Sequence, residues 1–116
     1  MVTAAADIPW QILMVDDDED DYLLVREMLS GAKRQKFNLR WVNTYAAARA
    51  ALRSEVFHAV LMDYDLGANT GMDLIREMVQ ERCPGAFILY TGRGSEEIDL
   101  EAMQAGASMY LIKGET

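Results

Sequence analysis

A doubly wound α/β domain on a five-stranded parallel sheet is the fold class this sequence predicts, from three observations. Five short apolar runs of strand length alternate with four longer amphipathic segments along the whole chain. Parallel neighbours cannot be linked by tight hairpins, so strands that alternate with helices imply crossover connections. The runs are continuously apolar, as expected of strands covered on both faces, and four of the five end abruptly in a polar or charged side chain.

The first strand is Ile12 to Val15, inside WQILMVD, and it runs into Asp16 and Asp17. Asp20 to about Lys33 follows with Leu23, Leu24, Met28 and Leu29 at the spacing of a one-faced helix. Phe37, Leu39, Trp41 and Val42 mark a second strand, and the Ala-rich stretch Thr44 to Arg53 a second helix that Thr44 can cap. The third strand, Ala59 to Met62, stops at Asp63. Two glycines and an asparagine in DLGANTG, between Asp65 and Gly71, predict a loop. A third helix spans about Met72 to Glu81 and is ended by Pro84-Gly85. Ala86 to Tyr90 is the fourth strand, closing on Thr91, and Glu96 to about Ala105 the fourth helix, with Gly106 as its stop. Met109 to Ile112, the fifth strand, ends at Lys113. Ligand sites in open parallel sheets lie beyond the carboxyl ends of the strands, so Asp16, Asp17, Asp63, Thr91 and Lys113 are expected on one rim.

The 116 residues and 13.0 kDa fit a single domain, read as 8–116 behind a short tail of residues 1–7. Hydrophobic residues at 51% and charged residues at 26% support a packed core. The net charge of -8 comes from 19 acidic and 11 basic residues. The unbroken acidic run Asp16 to Asp21 dominates it: without those six, 13 acids face 11 bases, a residual of -2. Direct nucleic-acid binding is not expected of such a chain. Cys83 is the only cysteine, so an internal disulfide is impossible, and no Cys/His cluster offers ligands to zinc. The N-terminus has no basic and apolar leader pattern, and no apolar run approaches the roughly 20 residues of a membrane span. A cytoplasmic location is expected.

Three carboxylates gathered on one rim repel one another and are driven toward protonation unless a cation relieves them. A hard divalent ion such as Mg2+, which takes oxygen ligands and keeps water or phosphate oxygens, suits them. With one hydroxyl and one ammonium added, the set has the chemistry of phosphoryl transfer. Asp63 could attack phosphorus as a carboxylate nucleophile, while the cation and Lys113 neutralise the equatorial oxygens.

ILMVDDDEDD, VLMDYDLG, LYTG and YLIKGE, in this order and spacing, resemble the receiver domain of two-component response regulators (CheY-like) from about residue 8 to the end. The resemblance implies a flavodoxin-like sheet of order 2-1-3-4-5. It makes Asp63 the phosphoacceptor, charged by a sensor histidine kinase or phosphotransfer protein. It makes Asp16 and Asp17 the acid pair for Mg2+, Asp17 directly and Asp16 largely through water, with the backbone carbonyl of Asp65 as a further ligand. Thr91 matches the hydroxyl that moves toward the phosphate, Lys113 the lysine that pairs with it, Tyr110 the aromatic switch, and Gly92 the small residue that keeps the phosphate accessible. Phosphorylation would then repack the face formed by the fourth helix and fifth strand.

Other residues have plainer readings. Glu19, Asp20 and Asp21 suit the exposed N-H groups of a helix start, while Asp18 sits beside the acid pair. Asp16, Asp18, Asp20 and Glu27 imitate a calcium loop, but Asp21 stands where that loop needs glycine. Asp63-Tyr64-Asp65 also resembles the nucleophile motif of haloacid dehalogenase-type phosphotransferases, the enzyme alternative, although only three residues follow Lys113. His58 opens a strand and is read as structural, Cys83 as an inert thiol, and the eight methionines as adaptable core. Arg93 either reaches the site or covers the loop. Tyr22, Val25 and Arg26 are the first-helix residues expected to face a kinase.

Receivers usually continue into a fifth helix, missing or truncated here, and many carry a cis-proline where this chain has Gly114. An N-terminal receiver of a longer protein, with a C-terminal output domain beyond this chain, is the expectation. The apolar face left bare should lower stability or be covered by homodimer formation.

Overall fold

The structure, a computed structural model, describes residues 8–92 and 94–114. Its elements are β1 (Trp10–Val15), α1 (Glu19–Ser30), β2 (Phe37–Val42), α2 (Tyr45–Ser54), β3 (Ala59–Met62), β4 (Asp65–Leu66), β5 (Asn69–Thr70), α3 (Gly71–Gln80), β6 (Ala86–Thr91), α4 (Glu96–Ala105) and β7 (Met109–Ile112). The long strands form one sheet, β2-β1-β3-β6-β7, with every pair parallel. Counting only those five, this is the expected order 2-1-3-4-5. The tail 1–7 and Arg93 lie outside the described residues.

Several boundaries move for local reasons. α1 begins at Glu19 because the Asp18 side chain caps it, accepting the Asp20 N-H. It ends at Ser30, short of Lys33, where the Gly31 N-H closes back on Glu27 and Leu29. α3 begins at Gly71 behind a reciprocal capping box between Thr70 and Asp73. The segment predicted as a loop contains a small antiparallel hairpin, β4 with β5, turned at Gly67 and Ala68. Its first turn residue, Gly67, has φ of 76°, as a tight hairpin requires.

The two faces of the sheet are unequal, in keeping with the expectation that part of its apolar face and the first helix are less covered. On one, Leu13, Val15, Val60, Met62, Phe87 and Leu89 form a continuous core with α2, α3 and α4. Met72, Leu74, Ile75 and Met78 of α3 are wholly buried there. On the other face α1 buries only Val25. β3 and β6 therefore alternate between buried and half-buried positions. A cavity of about 150 Å³ opens between Val25, Met28 and Leu29 of α1 and Leu61, Tyr90 and Leu111 of the sheet. Among the described residues no helix follows β7.

At the amino end of the sheet His58 is exposed but held by its neighbours. Its Nδ1 accepts the Gln11 N-H at 2.9 Å and its ring stacks on Trp10. The helices of the sealed face are tied by ion pairs, Arg53 with Glu81 and Arg76 with Glu101. Such pairs are solvent-exposed and add little to stability.

Gly71 is placed where α3 crosses directly behind Asp63. A Cβ there would collide with the Asp63 carbonyl oxygen and lie 2.7 Å from Met62 Cγ, whereas one on Gly92 would meet open space. Gly71→Ala is expected to cost roughly 1–3 kcal/mol, the range for overpacking, and Gly92→Ala less than about 0.5 kcal/mol, measured by urea unfolding. Equal losses for the two would contradict this placement.

Candidate functional site

The ladder itself assembles the rim. Val15 is paired with Met62 across β1 and β3, and one residue further on the Asp63 N-H donates to the Val15 carbonyl at 2.9 Å. The Asp16 N-H continues the other side of β1 by donating to the Val42 carbonyl at 3.2 Å. In-register parallel strands that stop together must therefore place Asp16 and Asp63 side by side. Both are buried, at 1% and 6% exposure, so neither carboxylate can rely on bulk water.

Asp17 is exposed and completes a triad: one carboxylate oxygen from each of Asp16, Asp17 and Asp63 lies within 4.8 Å of the others. Thr91, also buried, ends β6, and its carbonyl accepts the Lys113 N-H at 2.9 Å. That bond sets Lys113 at the rim. Its Nζ lies 2.7 Å from Asp16 Oδ2, 2.7 Å from Asp21 Oδ2 and 3.5 Å from Asp63 Oδ1. All five predicted rim residues are thus at the carboxyl edge, and the three acids and the lysine form one cluster.

The remaining candidates lie around it. Asp65 is exposed and opens the hairpin two residues after Asp63, and Gly92 is exposed beyond Thr91. Tyr110, half-buried in β7, accepts the Ser95 N-H on its hydroxyl at 3.2 Å. Since Ser95 caps α4, Tyr110 is bonded to the start of that helix.

Three contributors escape sequence reasoning. Asp21, read as a helix-start acid only, binds Lys113. Trp41 donates its indole N-H to the Asp16 carbonyl at 2.8 Å, and Tyr22 stacks on its ring at 4.8 Å. Gly71 admits α3 behind Asp63. The tryptophan had no signal beyond an aromatic at the end of a strand next to an acidic strand end. The glycine was visible but read as a loop former. Asp18, left open between metal and helix, is the N-cap.

Burial of Asp63, with the Asp16 charge next to it, pushes its carboxyl up to about 7 against the pull of Lys113. Asp16 is raised too, chiefly by burial, with the Lys113 hydrogen bond opposing. Burial works against charge on Lys113, but its bonds to Asp16 and Asp21 and the charge of Asp63 outweigh it and hold the ammonium protonated. A site that retains a proton for want of positive charge, and whose donors are hard oxygens, fits a divalent cation.

Residues 12–116 match the profile of the response regulator receiver domain family, and the chain belongs to that family. Domains of this class are phosphoacceptor signalling domains of two-component systems, not enzymes in the ordinary sense. Among curated relatives, the alginate biosynthesis transcriptional regulatory protein AlgB of Pseudomonas putida is 26% identical over 110 residues, covering 95% of this chain. The chain spans only 24% of that relative's length. A CheY-like receiver domain from Methanospirillum hungatei superimposes with a TM-score of 0.80 at 25% identity, over 93% of this chain and 84% of the other. The BeF3-activated DrrB receiver domain does so at 0.77 and 27% identity, over 94% and 88%. The haloacid dehalogenase alternative finds no support. No described helix is long and apolar enough to cross a membrane.

The raised Asp63 carboxyl has a thermodynamic consequence. The folded chain holds there a proton that an ordinary carboxyl of 3.8 has released. That stabilisation is complete below the unfolded value and is lost as pH rises through about 7. Without divalent cations, Asp63→Asn should therefore gain melting temperature relative to the parent between about pH 5 and about pH 8. Thermal melts in chelator test it, and a difference that does not vary with pH would contradict it.

Proposed function

We propose that Asp63 is the phosphoacceptor of this receiver and that the reaction depends on Mg2+ held by Asp16, Asp17 and Asp63 with the backbone carbonyl of Asp65. The observation that carries this reading is the burial of Asp63 beside a second buried acid and within reach of one lysine. When bound, the ion supplies positive charge to the phosphoryl oxygens. A carboxylate oxygen of Asp63 attacks phosphorus, the bond to the donor's imidazole breaks, and Lys113 offers its ammonium to the charge that accumulates. Gly92, with open space in place of a side chain, leaves the approach to Asp63 clear.

Thr91 supplies the hydroxyl that closes on the phosphoryl group, and Tyr110 reports the change. Because its hydroxyl accepts from Ser95, an inward turn of Tyr110 gives up a bond at the start of α4. The population of the phosphorylated arrangement rises by as much as the phosphoryl group prefers it. The donor is a histidine kinase or phosphotransfer protein that meets α1 near Tyr22 and Arg26, in a cytoplasmic setting; Val25, expected beside them, is buried instead and offers no surface to it. The AlgB relatives are transcriptional regulatory proteins and much longer, which supports an output domain as the reader of this receiver. The open α1 face supports self-association as a homodimer.

Incubation with a small phosphodonor such as acetyl phosphate and Mg2+ should label the parent chain stoichiometrically, with slow loss, and leave Asp63→Asn unlabelled. Mass spectrometry of the intact chain reads both. Undiminished labelling of that variant would overturn the assignment, and sustained multiple turnover would restore the enzyme alternative.

A further inference from the structure

Lys113 has one more anionic partner than its proposed role requires. Two of the three donors of an ammonium are spent on Asp16 and Asp21, both at 2.7 Å, while Asp63 stands at 3.5 Å. Asp21 sits in the first turn of α1 with Glu19 and Asp20, yet those two are exposed and Asp21 is half-buried against the rim. An acid that serves only the helix dipole gains nothing by leaving water. Asp21 is also absent from the trio whose oxygens converge for a cation. The Asp16 carboxylate thus has two claimants, Lys113 and, on the functional reading above, the cation. Asp21 has one.

We propose that Asp21 is a positioning residue acting through Lys113: it takes the ammonium when Asp16 is committed to a cation, and it competes for that ammonium with a phosphoryl group on Asp63. The inference rests on the proposed function of Asp63. Two effects of opposite sign follow. Without the Asp21 charge, Lys113 falls back wholly on Asp16 and the cation must displace it. Once the cation is in place, the lysine has no rival anion holding it from the acceptor, and one negative charge that repels the phosphoryl group is gone. Lys113 is only 16% exposed, so these pairings are screened less than surface ion pairs are.

Calorimetric titration of the chain with Mg2+, then with beryllofluoride at saturating Mg2+, reads both effects. Asp21→Asn is expected to weaken Mg2+ binding about tenfold, the low end for outer-sphere changes, and to tighten beryllofluoride binding about threefold, the scale of one partly screened ion pair. Asp20→Asn, which removes the same charge from the same turn, should change neither, and Asp21→Glu should remain near the parent. A loosened fold cannot tighten one ligand while weakening the other. Equal effects of the Asp20 and Asp21 variants, or a fall in both affinities, would overturn the proposal. A parent chain that takes up Mg2+ but no beryllofluoride would instead overturn the functional reading, and this inference with it.

Discussion

Two carboxylates that end adjacent parallel strands are forced together by the ladder, and the rest of the rim is organised around that conflict. Asp16 and Asp63 cannot separate without breaking the register of β1 and β3, and neither is more than slightly exposed to water. Charge compensation has to be brought to them. Lys113 supplies part of it, carried from the far end of the chain by the hydrogen bond between its backbone and Thr91. Burial, with the neighbouring Asp16 charge, outweighs the pull of that one ammonium, which is why Asp63 still tends to keep a proton. The fold's most strongly specified feature, its parallel register, is thus what creates the site's affinity for positive charge.

Much of this was legible in the residues because strand ends are punctuated by chemistry. β3 and β7 occupy the expected residues, and Asp63 and Lys113 announce themselves as charges that terminate apolar runs. The four motifs that carried the family resemblance are these same strand ends, so fold and site were read from one signal. Asp21 was not legible as a partner of Lys113. In a run of six acids nothing distinguishes the one whose helical phase turns it toward the rim, and only the start of α1 at Glu19 decides it. The role of Trp41 depends on β2 lying beside β1, a tertiary fact with no local mark. Gly71 looked like any turn glycine, since its necessity comes from the backbone of Asp63, distant from it in conformation though near in sequence.

The unequal covering of the sheet has the same origin in long-range structure. Continuous apolar runs reveal that strands are not washed on alternate positions, but they do not say how well each face is sealed. α2, α3 and α4 close one face with small and flexible side chains, alanines and methionines that fill irregular space. On the other, Leu24 and Met28 of α1 are each 55% exposed, so much of the apolar stripe that marked this helix faces solvent.

That disparity assigns α1 a particular place in the folding hierarchy. It buries one side chain where α3 buries four, so its local opening is opposed by less lost packing than that of α3. Yet it carries Asp18 and Asp21 and follows directly from Asp16 and Asp17. A sparsely packed helix of the domain is therefore fused to its most charged segment. Amide protons of α1 become an internal gauge of the rim: whatever draws Lys113 and the acid pair into one arrangement also anchors the helix, and whatever releases them lets it breathe.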